Sequence, residues 1–139
     1  MRRIRNGTDL VQISRIDHMY KKWGNHFLAH IYTNDEILYC QKKVNAAASY
    51  AARFAAKEAV SKALGTGIGP EGVSFLEIEV QIERSSSPNI YLHGKTKAYF
   101  KALGGQSVAI SMSHDGDYAL AFCIMEFEED ANEAFQPSD

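Results

Sequence analysis

Residues 46–64 read AAASYAARFAAKEAVSKAL and run directly into GTGIGP at 65–70. This stretch decides the fold. Alanine is the best helix former, and Gly65 stands where a glycine closes a helix in the left-handed conformation. One long helix over 46–64 is therefore expected. At about 100° per residue, Ala52, Ala55, Ala56, Ala59, Val60 and Ala63 fill one side of its wheel. Arg53, Lys57, Glu58, Ser61 and Lys62 lie within the other half. The small residues let such a helix approach a sheet or a second helix closely. Taken alone, the polar half reads as a solvated surface with a Glu58–Lys62 ion pair at i,i+4.

Upstream, residues 4–13 read as a strand with Gly7, Thr8 and Asp9 inside it. Ser14 suits the N-cap of a short basic amphipathic helix over 15–23. Thr33-Asn34-Asp35-Glu36 matches a capping box, which starts a helix running to about residue 43. Downstream, Leu76, Ile78, Val80 and Ile82 alternate with Glu77, Glu79 and Gln81, the pattern of a half-buried strand over 75–83. A turn at 85–88 leads into a return strand at 89–93. A helix is expected over 96–103, closed by Gly104 and Gly105. Two alternating strands at 107–113 and 118–125 form a hairpin through His114-Asp115-Gly116-Asp117. This order predicts an α+β fold, with a small, mainly antiparallel sheet packed against the long Ala-rich helix.

At 139 residues, with 45% hydrophobic and 23% charged, the chain has the makings of a single globular domain rather than a disordered or rod-like one. Residues 1–126 are read as that domain and 127–139 as an acidic, mobile tail. Six of the seventeen acidic residues and none of the fifteen basic ones fall in 126–139, so the body is mildly basic. Such a body suits a phosphate ligand or an acidic protein partner, not nucleic acid, which calls for a strong basic stripe. No apolar run is long enough to cross a membrane, and the basic start lacks the apolar segment of a secretory signal. Cys40 and Cys123, far apart and in no C-x-x-C pattern, read as unpaired core thiols of a cytoplasmic protein.

Three features carry chemistry. The glycine-rich loop at 65–69 lets backbone N–H groups approach phosphate oxygens, although it follows a helix C-terminus whose dipole disfavours anions. Lys57 and Lys62 would have to offset that. Asp9 is poorly suited to a strand unless something pairs with it, and two carboxylates from different elements, Asp9 and Glu58, could hold a hard cation such as Mg2+. His114 closes a strand, where it can face a cleft or simply serve a turn. His26 and His30 lack the glutamate of H-E-x-x-H and read as structural, with no zinc expected.

Gly7-Thr8-Asp9-Leu10-Val11 with Ser14-Arg15-Ile16, then Arg53-Phe54-Ala55-Ala56-Lys57-Glu58-Ala59 through Lys62-Ala63-Leu64-Gly65-Thr66-Gly67-Ile68, then Ser111-Met112-Ser113-His114 and Asp117-Tyr118-Ala119, stand in one order and spacing. Together they resemble the small bacterial 4′-phosphopantetheinyl transferases, the holo-acyl-carrier-protein synthase family, over about residues 4–126. The resemblance implies transfer of phosphopantetheine from coenzyme A to a serine of an acidic apo-acyl carrier protein, in support of fatty acid biosynthesis. It implies Mg2+ on Asp9 and Glu58, and Glu58, or a water that it orients, as the base. Lys62 would stabilise or protonate the leaving phosphate. Thr66, Gly67 and Ile68 would lie along the nucleotide, and Arg53 and His114 at its 3′-phosphate. Arg15 matches the family's carrier-docking helix; Lys21 and Lys22 add charge there, with Met19 and Phe27 as apolar contacts. A homotrimer with interfacial sites is implied as well. Arg5 stands where the family often has glycine, and serines precede Pro88 where a glycine is usual. Two rival readings stay open: a coenzyme A-binding module, and a Mg2+-dependent hydrolase of coenzyme A.

Overall fold

Alanine dominates the long helix, and that composition sets how closely everything else packs. The computed structural model describes residues 1–129. Its elements run β1 (Arg2–Gln12), α1 (Ile13–Trp23), α2 (Asn25–Ile31), α3 (Asn34–Gln41) and α4 (Ala46–Leu64). Two short 3-10 turns follow, then β2 (Ile78–Ile82), β3 (Pro88–Leu92), α5 (Gly94–Ala102), β4 (Gly105–Asp115) and β5 (Tyr118–Glu128). The Asn45 side chain caps α4 by accepting from Ala48 N at 3.1 Å. Gly65 ends it at φ 86°, as the sequence requires.

The strands form two antiparallel sheets, not one. The larger has the order β1-β5-β4; the smaller is the β2–β3 hairpin. β1 and β5 pair along their whole length, from Arg2↔Glu128 to Gln12↔Tyr118. α4 lies on the inner face of the larger sheet. Ala119, Ala121, Cys123, Met125 and Phe127 of β5 meet Ala55, Ala56, Ala59 and Ala63 in the buried core. Cys40 and Cys123 are buried and unpaired.

Several local expectations are corrected. Ser14 is not a cap: α1 starts one residue earlier, at Ile13, and Ser14 Oγ donates to Asp117 Oδ2 at 2.5 Å. Phe75–Glu77 is a 3-10 turn, so β2 begins at Ile78. α2 was not foreseen; it is a seven-residue helix begun by Gly24 at positive φ. β5 runs to Glu128 with Phe127 buried, beyond the expected boundary at 126, and the rest of the acidic tail, 130–139, lies outside the described residues. Arg2 pairs with Glu126 and Glu128, and Arg3 with Glu129.

The polar half of α4 is the largest correction. Arg53, Lys57 and Ser61 are buried. Lys57 Nζ donates to Glu36 Oε1 at 2.8 Å, to the Phe75 carbonyl at 2.8 Å and to the Ile78 carbonyl at 2.6 Å. Burial draws the Lys57 pKa down and Glu36 works the other way; three oxygen acceptors around Nζ hold it as an ammonium. Glu36 is the capping-box residue expected from sequence, and it takes Thr33 N on Oε1 and Val80 N on Oε2, both at 2.8 Å. Glu79, expected on a solvent face, is buried; its carboxylate accepts from Thr33 Oγ1 at 3.0 Å and contacts His93 Nε2 at 2.9 Å. One buried cluster therefore ties α3, α4 and β2 together.

Candidate active site

β1 crosses α4 at Gly7, and no larger residue fits there. A Cβ at this position would stand 2.1 Å from the Ala59 carbonyl oxygen and 2.7 Å from Ala63 N. The strand rests on the helix backbone. Strand alternation then puts Asp9 on the same inner side, two residues on. Asp9 Oδ1 accepts from Lys62 Nζ at 3.0 Å, and the Thr8 carbonyl accepts from the same ammonium at 2.9 Å. Lys62 thus reaches across to Asp9 in place of the Glu58–Lys62 pair expected within the helix.

Glu58 lies one turn before Lys62 and is half-buried. Burial, and after it the negative charge of Asp9, raises the Glu58 carboxyl above the ordinary glutamate range; Lys62 pulls the other way. Two carboxylates and an ammonium therefore share one patch, set by a single crossing of strand over helix.

Arg53 and His114 belong to a different place. They line an open cleft of about 510 Å3 with Tyr39, Lys43, Ser49 and Met112. Arg53 stands five residues before Glu58, a rotation of about 140° around the helix. The cleft's lining includes none of Asp9, Glu58 and Lys62. Arg53 Nη1 donates to Ser49 Oγ at 2.8 Å, and its guanidinium lies 4.3 Å from the centre of the Tyr39 ring. Its buried Nε has no hydrogen-bond partner among the described residues. An orphaned donor of this kind suits an anionic ligand. Tyr39 and Ser49 were not singled out from sequence; the i,i+4 spacing of Ser49 and Arg53 was the available signal.

The glycine loop closes a helix rather than forming a nest of free N–H groups. Gly65 N donates to Lys62 O at 3.0 Å, and Thr66 N and Gly67 N donate to Ser61 O at 3.3 and 3.2 Å. Gly69 N goes to Val73 O at 2.8 Å. The first three bonds satisfy the Ser61 and Lys62 carbonyls of α4, and all four engage N–H groups that a phosphate would need. Thr66, Gly67 and Ile68 are half-buried at the end of the helix that carries Glu58 and Lys62.

On the other flank, Met19 and Phe27 come together. With Trp23, His26, His30 and Ile31 they line an apolar groove of about 300 Å3. Arg15 is exposed near its start. Lys21 is paired with Asp17 at 2.7 Å, and Lys22 lies over the Trp23 ring at 5.2 Å. Trp23, at the end of α1, and the two histidines of α2 were missed as groove residues because α2, which carries His26 and His30, was missed.

The model of the 4′-phosphopantetheinyl transferase superfamily matches residues 5–123. The holo-[acyl-carrier-protein] synthase of Koribacter versatilis strain Ellin345 is 44% identical over 120 residues, 86% of this chain and 95% of the relative. The crystal structure of Helicobacter pylori holo-[acyl-carrier-protein] synthase in complex with coenzyme A is similar at TM-score 0.77 and 37% identity, covering 86% of this chain and 98% of that one. That of the Neisseria meningitidis synthase has TM-score 0.81 and 35% identity, covering 87% and 96%.

Proposed function

The chain belongs to the 4′-phosphopantetheinyl transferase superfamily, and on that premise we propose that Asp9, Glu58 and Lys62 form its catalytic centre. The reaction moves phosphopantetheine from coenzyme A to a serine of apo-acyl carrier protein and releases adenosine 3′,5′-bisphosphate. The observation that carries the residue assignment is the Asp9–Lys62 contact beside Glu58, at the Gly7 crossing.

Phosphoryl transfer needs positioning and charge stabilisation more than covalent chemistry. Two carboxylate groups from facing elements suit Mg2+. That ion takes its remaining ligands from water and substrate phosphates. Asp9 and Glu58 would hold it, and once bound it neutralises charge on the pyrophosphate. Glu58, with its raised pKa, is poised to accept the proton of the serine hydroxyl. The serine oxygen bonds to the β-phosphorus as the bond from that phosphorus to the bridging oxygen breaks. Lys62, half-exposed on a flexible stem, stabilises or protonates the phosphate that leaves.

The orphaned Nε of Arg53 supports a 3′-phosphate subsite in the second cleft, with His114 at its edge. Thr66, Gly67 and Ile68 would contact the nucleotide through side chains and surface. A homotrimer with interfacial sites explains why that cleft is separate from Asp9: one subunit would supply Asp9, Glu58 and Lys62, its neighbour the cleft. The outer face of the larger sheet supports this. It leaves Ile4, Leu10, Tyr118, Leu120, Phe122 and Ile124 between 38% and 68% exposed, an apolar patch suited to a second copy. The acidic carrier protein docks on Arg15, Lys21 and Lys22, with Met19 and Phe27 beneath. A cytoplasmic setting goes with the two unpaired cysteines.

Intact-mass spectrometry of apo-acyl carrier protein incubated with this protein, coenzyme A and Mg2+ tests the activity. A gain of one phosphopantetheine group, lost with EDTA, is the expected result. Coenzyme A cleaved without modification of the carrier would replace the transferase with a hydrolase.

A further inference from the structure

We infer that Lys62 competes with the divalent cation for Asp9, so that the cation and coenzyme A bind cooperatively. The inference rests on the metal site proposed above and concerns what already occupies one of its oxygens. Asp9 Oδ1 accepts from the Lys62 ammonium at 3.0 Å, and the Thr8 carbonyl, a backbone group, holds the same ammonium at 2.9 Å. The Asp9 side chain is 17% exposed and that of Lys62 50%. Asp9 is fixed by its strand, whereas Lys62 sits on a four-carbon stem open to solvent. Lys62 is the member that can leave.

Charge favours one cation at a time. Asp9 and Glu58 supply two negative charges to a partly buried patch, and the ammonium offsets one of them. A divalent ion added beside a retained ammonium would leave the patch net positive; with the ammonium displaced, the patch is neutral. The displaced lysine needs a partner, and the pyrophosphate of coenzyme A is one. Coenzyme A draws Lys62 away from Asp9 while adding oxygens to the cation. By linkage, each ligand then raises the affinity of the other by the same factor. Lys62 thus has a role before the chemical step: it holds metal affinity low until the phosphates are present.

The test follows Mn2+ binding to the full-length protein by the electron paramagnetic resonance of free Mn2+. Wild type, Lys62→Met and Asp9→Asn are compared with and without coenzyme A. Without coenzyme A, Lys62→Met is expected to bind Mn2+ about fivefold more tightly than wild type, the equivalent of an exposed ion pair worth about 1 kcal/mol. The gain should persist at about 0.5 M KCl, where the screening length falls to about 4 Å, because the contact is direct. Coenzyme A should tighten Mn2+ binding more in wild type than in Lys62→Met. Equal or weaker Mn2+ affinity in Lys62→Met overturns the inference, and so does a gain that vanishes at high salt. Failure of the metal site itself looks different: Asp9→Asn would then bind Mn2+ as wild type does, and both readings fall.

Discussion

Lys57→Met is a direct test of the buried cluster beneath the site. The Lys57 and Glu36 side chains are both 0% exposed. The substitution keeps most of the apolar stem and removes three hydrogen bonds, one to Glu36 and two to the carbonyls of Phe75 and Ile78. Glu36 keeps the N–H groups of Thr33 and Val80 but loses its counter-charge. Breaking a buried pair from one side costs about 3–5 kcal/mol, because an uncompensated charge is left inside. For a domain of this size that lowers Tm by roughly 10–20 °C. Urea denaturation followed by circular dichroism, at fixed protein concentration, measures it. The double variant Glu36→Gln with Lys57→Met removes the orphaned charge. It should cost less than the sum of the two single variants by about 1–3 kcal/mol. A loss below about 1 kcal/mol in Lys57→Met would show that the cluster is not the anchor inferred here. Glu58 is the next residue along, so transfer activity should fall with the fold.

Three further outcomes are expected. Glu58→Gln should abolish transfer while coenzyme A binding is partly kept, and near-normal turnover in that variant would refute the assignment. If the proposed homotrimer forms through the outer sheet face, Leu120→Asp with Phe122→Asp should give monomers in sedimentation velocity and remove activity while circular dichroism stays native, and a variant sedimenting as wild type does would refute that interface. Arg15→Glu and Met19→Ala should each raise KM for the carrier protein about tenfold or more without moving KM for coenzyme A, and equal changes in both would remove the docking assignment.

Much of this architecture is readable from residues with strong local preferences. The Ala-rich helix with its terminal glycine, the Thr33–Glu36 capping box and the final hairpin all stand where the sequence puts them. Asp9 and Glu58 were paired from chemistry alone, and the structure brings Asp9 beside the turn of α4 that carries Glu58 and Lys62. What escaped was decided by tertiary contacts. Nothing in a helical wheel shows that Lys57 will meet Glu36, since the two residues are far apart in sequence and only packing joins them. Gly24 gives little hint that the chain restarts a helix one residue later, so the groove with Trp23 was invisible. The glycine loop looks like an anion cradle by composition, but the hydrogen-bonding needs of the helix end claim its donors first. Arg53 and Glu58 were both placed on the polar half of the helix; the rotation between them sets Arg53 in the cleft with His114 and Glu58 beside Asp9.

The pairing of β1 with β5 has a consequence for synthesis in the cell. The strand carrying Asp9 is made first and its hydrogen-bonding partner last, with Arg2 opposite Glu128. On the ribosome, β1 must wait with Ile4, Leu10 and Val11 unpaired until nearly the whole chain has emerged. The long helix can form alone in the meantime, because its contacts are local and its alanines favour it. Closure of the sheet waits for β5, whereas the crossing of β1 over α4 that sets Asp9 beside Lys62 lies within residues 7–63. A nascent chain halted before β5 would therefore carry Asp9 on a strand with no hydrogen-bonding partner, and that free edge would be exposed to chaperones or to aggregation.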